Sequence, residues 1–258
     1  MFLYSILDMV EPIEIHRLSE IKTKNSTVII GFPGTGLVGS VAASQLIDVL
    51  GLEFVGYITS AAFAPLAAIH NYKPLPPARI HYSQKYNLVV ILSEMSIPIN
   101  SSMELADKLF SFSKEIDAGL IISLGGISLK EEQETVYVVS SDQKIIKNII
   151  GKKLAKPIRE GATTGVTGIL LSKGVLESFP VLSILAEASQ DYLDPHAASN
   201  ALKVLSNVLG VDINTNQLEK DAKDLAENIR ETVIKSKTPK KNAGNAGTGR
   251  EGGGTMYG

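Results

Sequence analysis

Residues 26–50 read STVIIGFPGTGLVGSVAASQLIDVL. Ser26–Gly31 is a continuous apolar, β-branched run of strand length, the pattern of a buried strand. Leu37–Leu50 has Val38, Val41, Ala42, Ile47 and Leu50 available for burial and reads as a helix. A glycine-rich turn joins the two. Working outward, short β-rich runs keep alternating with helical patterns, which predicts an α/β fold: a central sheet covered by helices.

Phe54–Thr59 is a second strand. Lys73–Ala78 (KPLPPA) carries three prolines and must be a loop or an edge. Arg79–Ser83 and Leu88–Ser93 form a hairpin around residues 84–87. Ser101–Ile116 is a helix that opens with Ser101 and Glu104 in capping-box spacing. Ala118–Leu124 is a buried strand ended by Gly125-Gly126, and Thr135–Ser140 an alternating one. Asp142–Leu154 is helical, Gly161–Leu171 is Gly/Thr-rich and then apolar, and Val181–Ser189 and Ala197–Leu209 read as helices.

Composition narrows the function. The 258 residues hold 44% hydrophobic side chains, enough for a sizeable core. Twenty-five Lys+Arg stand against 27 Asp+Glu, so no basic footprint for nucleic acid or an anionic membrane is expected. The absence of cysteine excludes disulfides, Cys-ligated zinc, iron–sulfur clusters and a thiol nucleophile. No apolar run approaches the about 20 residues of a membrane span, and Met1–Ser19 lacks a signal-peptide pattern. A cytoplasmic protein is expected.

Gly34, Gly36 and Gly39 form a G-x-G-x-x-G after a strand and before a helix, the context of a dinucleotide fingerprint. The acidic residue expected at the end of the next strand is missing: Glu53 stands at that strand's start. A phosphate-binding P-loop fails as well, since Ser40 follows Gly39 with no Lys. Gly31, Gly34, Gly36 and Gly39 are therefore either a tight structural turn or an anion or nucleotide site. His16, His70, His81 and His196 show no metal-ligand spacing, so no metal and no cofactor are expected. Asp191, Asp194 and His196 around Pro195 read as a turn and helix cap, with an acid/base group as the rival reading.

Leu218, Ala222, Leu225 and Ile229 recur at spacings of four, three and four among charged residues. They form a narrow amphipathic seam, suited to packing on the chain's own domain or to an oligomer or partner contact. Pro239 ends that helix. Pro239–Gly258 holds seven glycines and is expected to be a flexible tether. The predicted organisation is a core domain over 1–212, an amphipathic helix over 213–238 and a tail over 239–258.

Three segments in order resemble the proteasome-assembly-chaperone family: GFPGTGLVGSVAASQLI (31–47), GATTGVTGILL (161–171), and SILAEAS (183–189) followed by YLDPHAA (192–198). Leu193 stands where the family pattern usually has Pro. The resemblance implies a mixed central sheet flanked by helices, similar to nucleoside phosphorylases, with no catalytic residues. It also implies an archaeal-type chaperone or ATP-independent activator of the 20S proteasome, working as a homo-oligomer, expected to be a tetramer. Met256-Tyr257-Gly258 matches the hydrophobic–Tyr–any-residue end of proteasome activators. In that reading the Gly258 carboxylate pairs with a pocket lysine between α-subunits, Tyr257 inserts its ring and Met256 fills an apolar slot. The rival function is a nucleotide- or phosphate-binding enzyme using Gly34–Gly39.

Overall fold

The structure, a computed structural model, describes residues 12–70, 72–129 and 134–223. Among these, eleven strands and five α-helices alternate along the chain. The element that organises them is β2 (Ser26–Gly31), whose Val28, Ile29 and Ile30 are fully buried. It pairs in parallel with β7 (Leu88–Ser93) on one side and β8 (Ala118–Ile127) on the other. β8 pairs in parallel with β11 (Val181–Glu187). Strands covered on both faces in this way lose the polar alternation of half-exposed ones.

The sheet extends on both sides of this parallel centre. β6 (Ala78–Ser83) runs antiparallel to β7 across the predicted hairpin, then β3 (Glu53–Thr59) antiparallel to β6, and β1 (Glu14–Arg17) antiparallel to β3 at one edge. On the other side, β9 (Val136–Ser140) is antiparallel to β11, and β10 (Lys156–Pro157) closes that edge. The order is β1-β3-β6-β7-β2-β8-β11-β9-β10. β4 (Ala68–His70) and β5 (Lys73–Leu75) make a separate two-stranded ribbon, in which Pro74 is tolerated because both strands are edges.

Alternation along the strands builds two cores. Ile29, Val90, Leu92, Ile122 and Ile184 face α1 (Val38–Leu50), α3 (Gln143–Gly151) and α5 (Pro195–Leu209). Val28, Ile30, Val89, Ile91 and Ile121 face α2 (Ser102–Glu115) and α4 (Gly165–Leu176). The fold is therefore the mixed α/β sandwich expected, with helices on both faces of the sheet.

Four local expectations are corrected. Residues 181–189 are not helical: β11 lies between β8 and β9, and its short apolar run is buried by both helix layers. A run of that length fits either state, and only sheet pairing decides. β8 does not end at Gly125-Gly126 but runs through both to Ile127. Ser101 makes no side-chain cap, and the Glu104 carboxylate instead accepts the Ile13 N–H at 2.7 Å, tying α2 to the strand edge. The helix over 142–154 is shorter, with Asp142 capping α3 by accepting the Lys144 N–H at 2.7 Å.

Residues 216–223 are helical. Leu218 is buried among the residues of the α1/α5 core, together with Ile213, so this seam residue packs on its own domain. Ala222 is half-buried, and Leu225 and Ile229 lie outside the described residues. Met1–Ala222 form one contact unit and Lys223–Gly258 a second, of which only Lys223 is described. Among the described residues no helix is long and apolar enough to cross a membrane.

Candidate functional site

The glycine turn is packed rather than open. Gly31 ends β2, and a Cβ there would sit 2.4 Å from the Ala43 Cβ of α1. A Cβ on Gly39 would sit 2.5 Å from the Leu124 carbonyl oxygen of β8. These two glycines let α1 lie directly on the sheet. Gly36 has φ +62, the left-handed conformation that favours glycine, and its carbonyl accepts the Asp194 N–H at 2.9 Å. Gly34 alone has nothing within 4 Å of a built Cβ.

Asp194 explains the second motif. Its Oδ1 accepts the Ala197 N–H at 3.0 Å, capping α5, and its Oδ2 accepts the Ser189 N–H at 3.1 Å. Both oxygens are thus committed to backbone. His196 turns instead to Glu219 at 3.3 Å. The Asp191, Asp194 and His196 segment is a turn and cap, as its Asp-Pro composition suggests.

The turn does border a cleft of about 690 Å³ at the carboxyl ends of the parallel strands, where open α/β sheets place ligands. Pro33, Gly34 and Thr35 form one wall and residues 158–167 the other, so the two glycine-rich segments of the sequence meet here. Gly31, Gly36 and Gly39 do not line it. On its floor the Ser123 and Thr167 hydroxyls bond each other at 2.6 Å. The ionisable lining residues are Arg159 and Glu160, both exposed. Among the described residues no group of three His, Asp or Glu side chains could hold a metal.

Two charged clusters away from the cleft were not legible in the sequence, because their members come from distant elements. Arg79 of β6, 4% exposed, grips Glu94 through its two terminal guanidinium nitrogens at 3.0 and 3.2 Å, and His70 of β4 donates to the same carboxylate at 2.7 Å. Burial alone would raise the Glu94 pKa, but Arg79 and His70 together hold it below the usual carboxylate value. This cluster fastens the β4–β5 ribbon to the sheet. Beside it, burial drives the His81 imidazole down to about 4, against the bond to the Leu52 carbonyl and with help from the Arg79 charge.

The second cluster ties residues 216–223 to α5. Glu219 accepts from Lys203 at 2.7 Å and from Ser199 at 2.7 Å, and pairs with His196. These bonds, Lys203 first and Ser199 next, bring its pKa down to about 2 despite partial burial.

The PAC2 family profile matches residues 28–233, which spans both glycine-rich segments and α5. The chain belongs to the PAC2 family. An uncharacterized protein of Methanocaldococcus jannaschii is 30% identical over 226 residues, 86% of this chain and 92% of that protein. The crystal structure of Pyrococcus furiosus PbaA, described as an archaeal homolog of proteasome-assembly chaperone, superposes with a TM-score of 0.78 at 26% identity. That match covers 88% of this chain and 93% of PbaA. Pyrococcus furiosus PbaB, described as an archaeal proteasome activator, superposes with a TM-score of 0.76 at 25% identity over 86% of this chain and 99% of its own. The PAC2 chain thus matches these two structures over more than four-fifths of its length. Met256, Tyr257 and Gly258 lie outside the described residues.

Proposed function

We propose that this PAC2 chain is a non-enzymatic partner of the 20S proteasome core particle, an assembly chaperone and/or an ATP-independent activator. The observation that carries the reading is the superposition on PbaB over nearly all of that activator, with the likeness to PbaA in support. The Met256-Tyr257-Gly258 sequence supplies the docking chemistry: a terminal carboxylate, an aromatic ring with a hydroxyl, and an adaptable apolar side chain. The tail docks between neighbouring α-subunits. A homo-oligomer, expected to be a tetramer in the cytoplasm, presents several such tails, and each weak contact gains from the others through effective concentration.

The test is hydrolysis of a short fluorogenic peptide by the cognate core particle, without nucleotide, with the full chain or the Tyr257→Ala variant. Stimulation by the full chain and its loss in the variant is expected for a tail-docked activator. Binding to the core particle that is unchanged by Tyr257→Ala would overturn tail docking.

A further inference from the structure

The segment 143–159 reads QKIIKNIIGKKLAKPIR. It carries Lys144, Lys147, Lys152, Lys153, Lys156 and Arg159 and not one Asp or Glu, in a chain of formal charge −2. The structure turns all six cations outward, because Ile145, Ile146 and Ile149 take up the buried side of α3. Lys144, Lys147, Lys152, Lys153 and Arg159 make no ion pair among the described residues. Elsewhere some cations sit on carboxylates, such as Arg17 on Glu115, Lys114 on Glu177, Lys173 on Asp107 and Lys203 on Glu219, while Lys24, Lys73, Lys85 and Lys108 stand singly along the chain with no ion pair among the described residues; what sets 143–159 apart is the density of its positive charge. The nearest acids along the chain flank the segment: Asp142, whose carboxylate caps α3, and Glu160. Like charges gathered on one short helix and its following loop raise a local positive potential, screened by water and salt, that attracts an acidic counterpart.

The kind of counterpart follows from the side chains. The segment contains no aromatic residue on which a nucleic-acid base could stack. Five of the six cations are lysines, compact hydrated charges that suit long-range attraction more than the bidentate phosphate grip of arginine. Ile150, 41% exposed, is a single apolar residue and not the stripe a membrane-surface helix presents.

We infer that the basic face of α3 and the following loop is a second docking surface, which steers this protein onto an acidic protein surface of the core particle. This rests on the function proposed above and adds a contact that acts before the tail engages. Charges of this kind set the association rate more than the lifetime of a complex.

The experiment measures association and dissociation rates of the full chain on immobilised cognate 20S core particle at about 50 mM and about 300 mM salt. The chains are wild type, K144E/K147E/K152E, its neutral counterpart K144Q/K147Q/K152Q, and Tyr257→Ala. At low salt the reversed variant should associate at least about tenfold more slowly, with the neutral variant between. Dissociation rates should change little, and the difference should shrink at high salt. Thermal melting of each variant checks the fold. Association rates equal to wild type in both lysine variants overturn the inference, while Tyr257→Ala still shortens the complex lifetime and leaves the tail reading intact. No binding by wild type overturns the proposed function and the inference with it. Binding of wild type to duplex DNA that the reversed variant loses would reassign the face to nucleic acid and also overturn it.

Discussion

The four glycines of the 31–39 turn should differ sharply in what replacement by alanine costs. At Gly39 a Cβ would lie 2.5 Å from both the Leu124 and the Phe32 carbonyl oxygens. Carbon–oxygen contacts settle at about 3.3 Å or more, so two backbone groups must each retreat by close to an ångström. One of them belongs to β8, held between β2 and β11, and cannot move alone. Overpacking of a core costs about 1–3 kcal/mol, and two fixed backbone oxygens put Gly39→Ala at the top of that range or above. Gly31→Ala meets the Gly39 carbonyl oxygen at 2.3 Å and belongs to the same class. Gly36→Ala adds left-handed strain to a 2.9 Å approach to the Ala188 Cβ, for a total of about 2 kcal/mol. Gly34→Ala meets nothing and has extended backbone, so its effect should stay within about 0.5 kcal/mol. Urea unfolding followed by far-ultraviolet circular dichroism reads these differences, since the chain has no Trp. Equal losses at Gly34 and Gly39 would refute the packing account. So would phosphate stabilising the wild type and failing to stabilise Gly34→Ala, which would make the turn a ligand site.

The buried His81 stays neutral to about pH 4, below its unfolded value of 6.5, so between those limits only the unfolded chain takes up the proton. Stability should fall by up to about 3 kcal/mol as pH drops through that window, and His81→Gln should flatten the fall in pH-dependent urea titrations. Glu219 titrates at about 2 in the fold against 4.5 when unperturbed, so its contribution is present above pH 4.5 and is lost as pH falls toward 2. With the side chain 31% exposed and screened, Glu219→Gln should cost about 1 kcal/mol at neutral pH, less at high salt, and should expose Leu218 to faster amide exchange.

Much of the fold was legible because it is written in short-range patterns. The apolar run of Ser26–Gly31, the 79–93 hairpin and the Asp194 cap each carry a local signal with a local physical cause. The order of three segments along the chain was enough to point to the PAC2 family, and its profile covers all three. Local signals failed where partners are distant. Val181–Glu187 became a strand because β8 and β9 flank it, and Glu104 left its own helix end for the Ile13 amide.

From residue order alone came the α/β alternation, the absence of cysteine chemistry and the side-chain types of the Met256-Tyr257-Gly258 segment. Those depend on side-chain types and on neighbours a few positions away. Tertiary structure decided the rest: that Gly31, Gly36 and Gly39 serve packing while Gly34 borders a cleft, that the two glycine-rich segments share that cleft, and that Leu218 joins the core. It also decided that Arg79 meets Glu94 and that the cations of residues 143–159 face outward together. Steric room, burial and ion pairing depend on which chain segments lie within a few ångströms of each other, and in this fold strands far apart in sequence lie side by side.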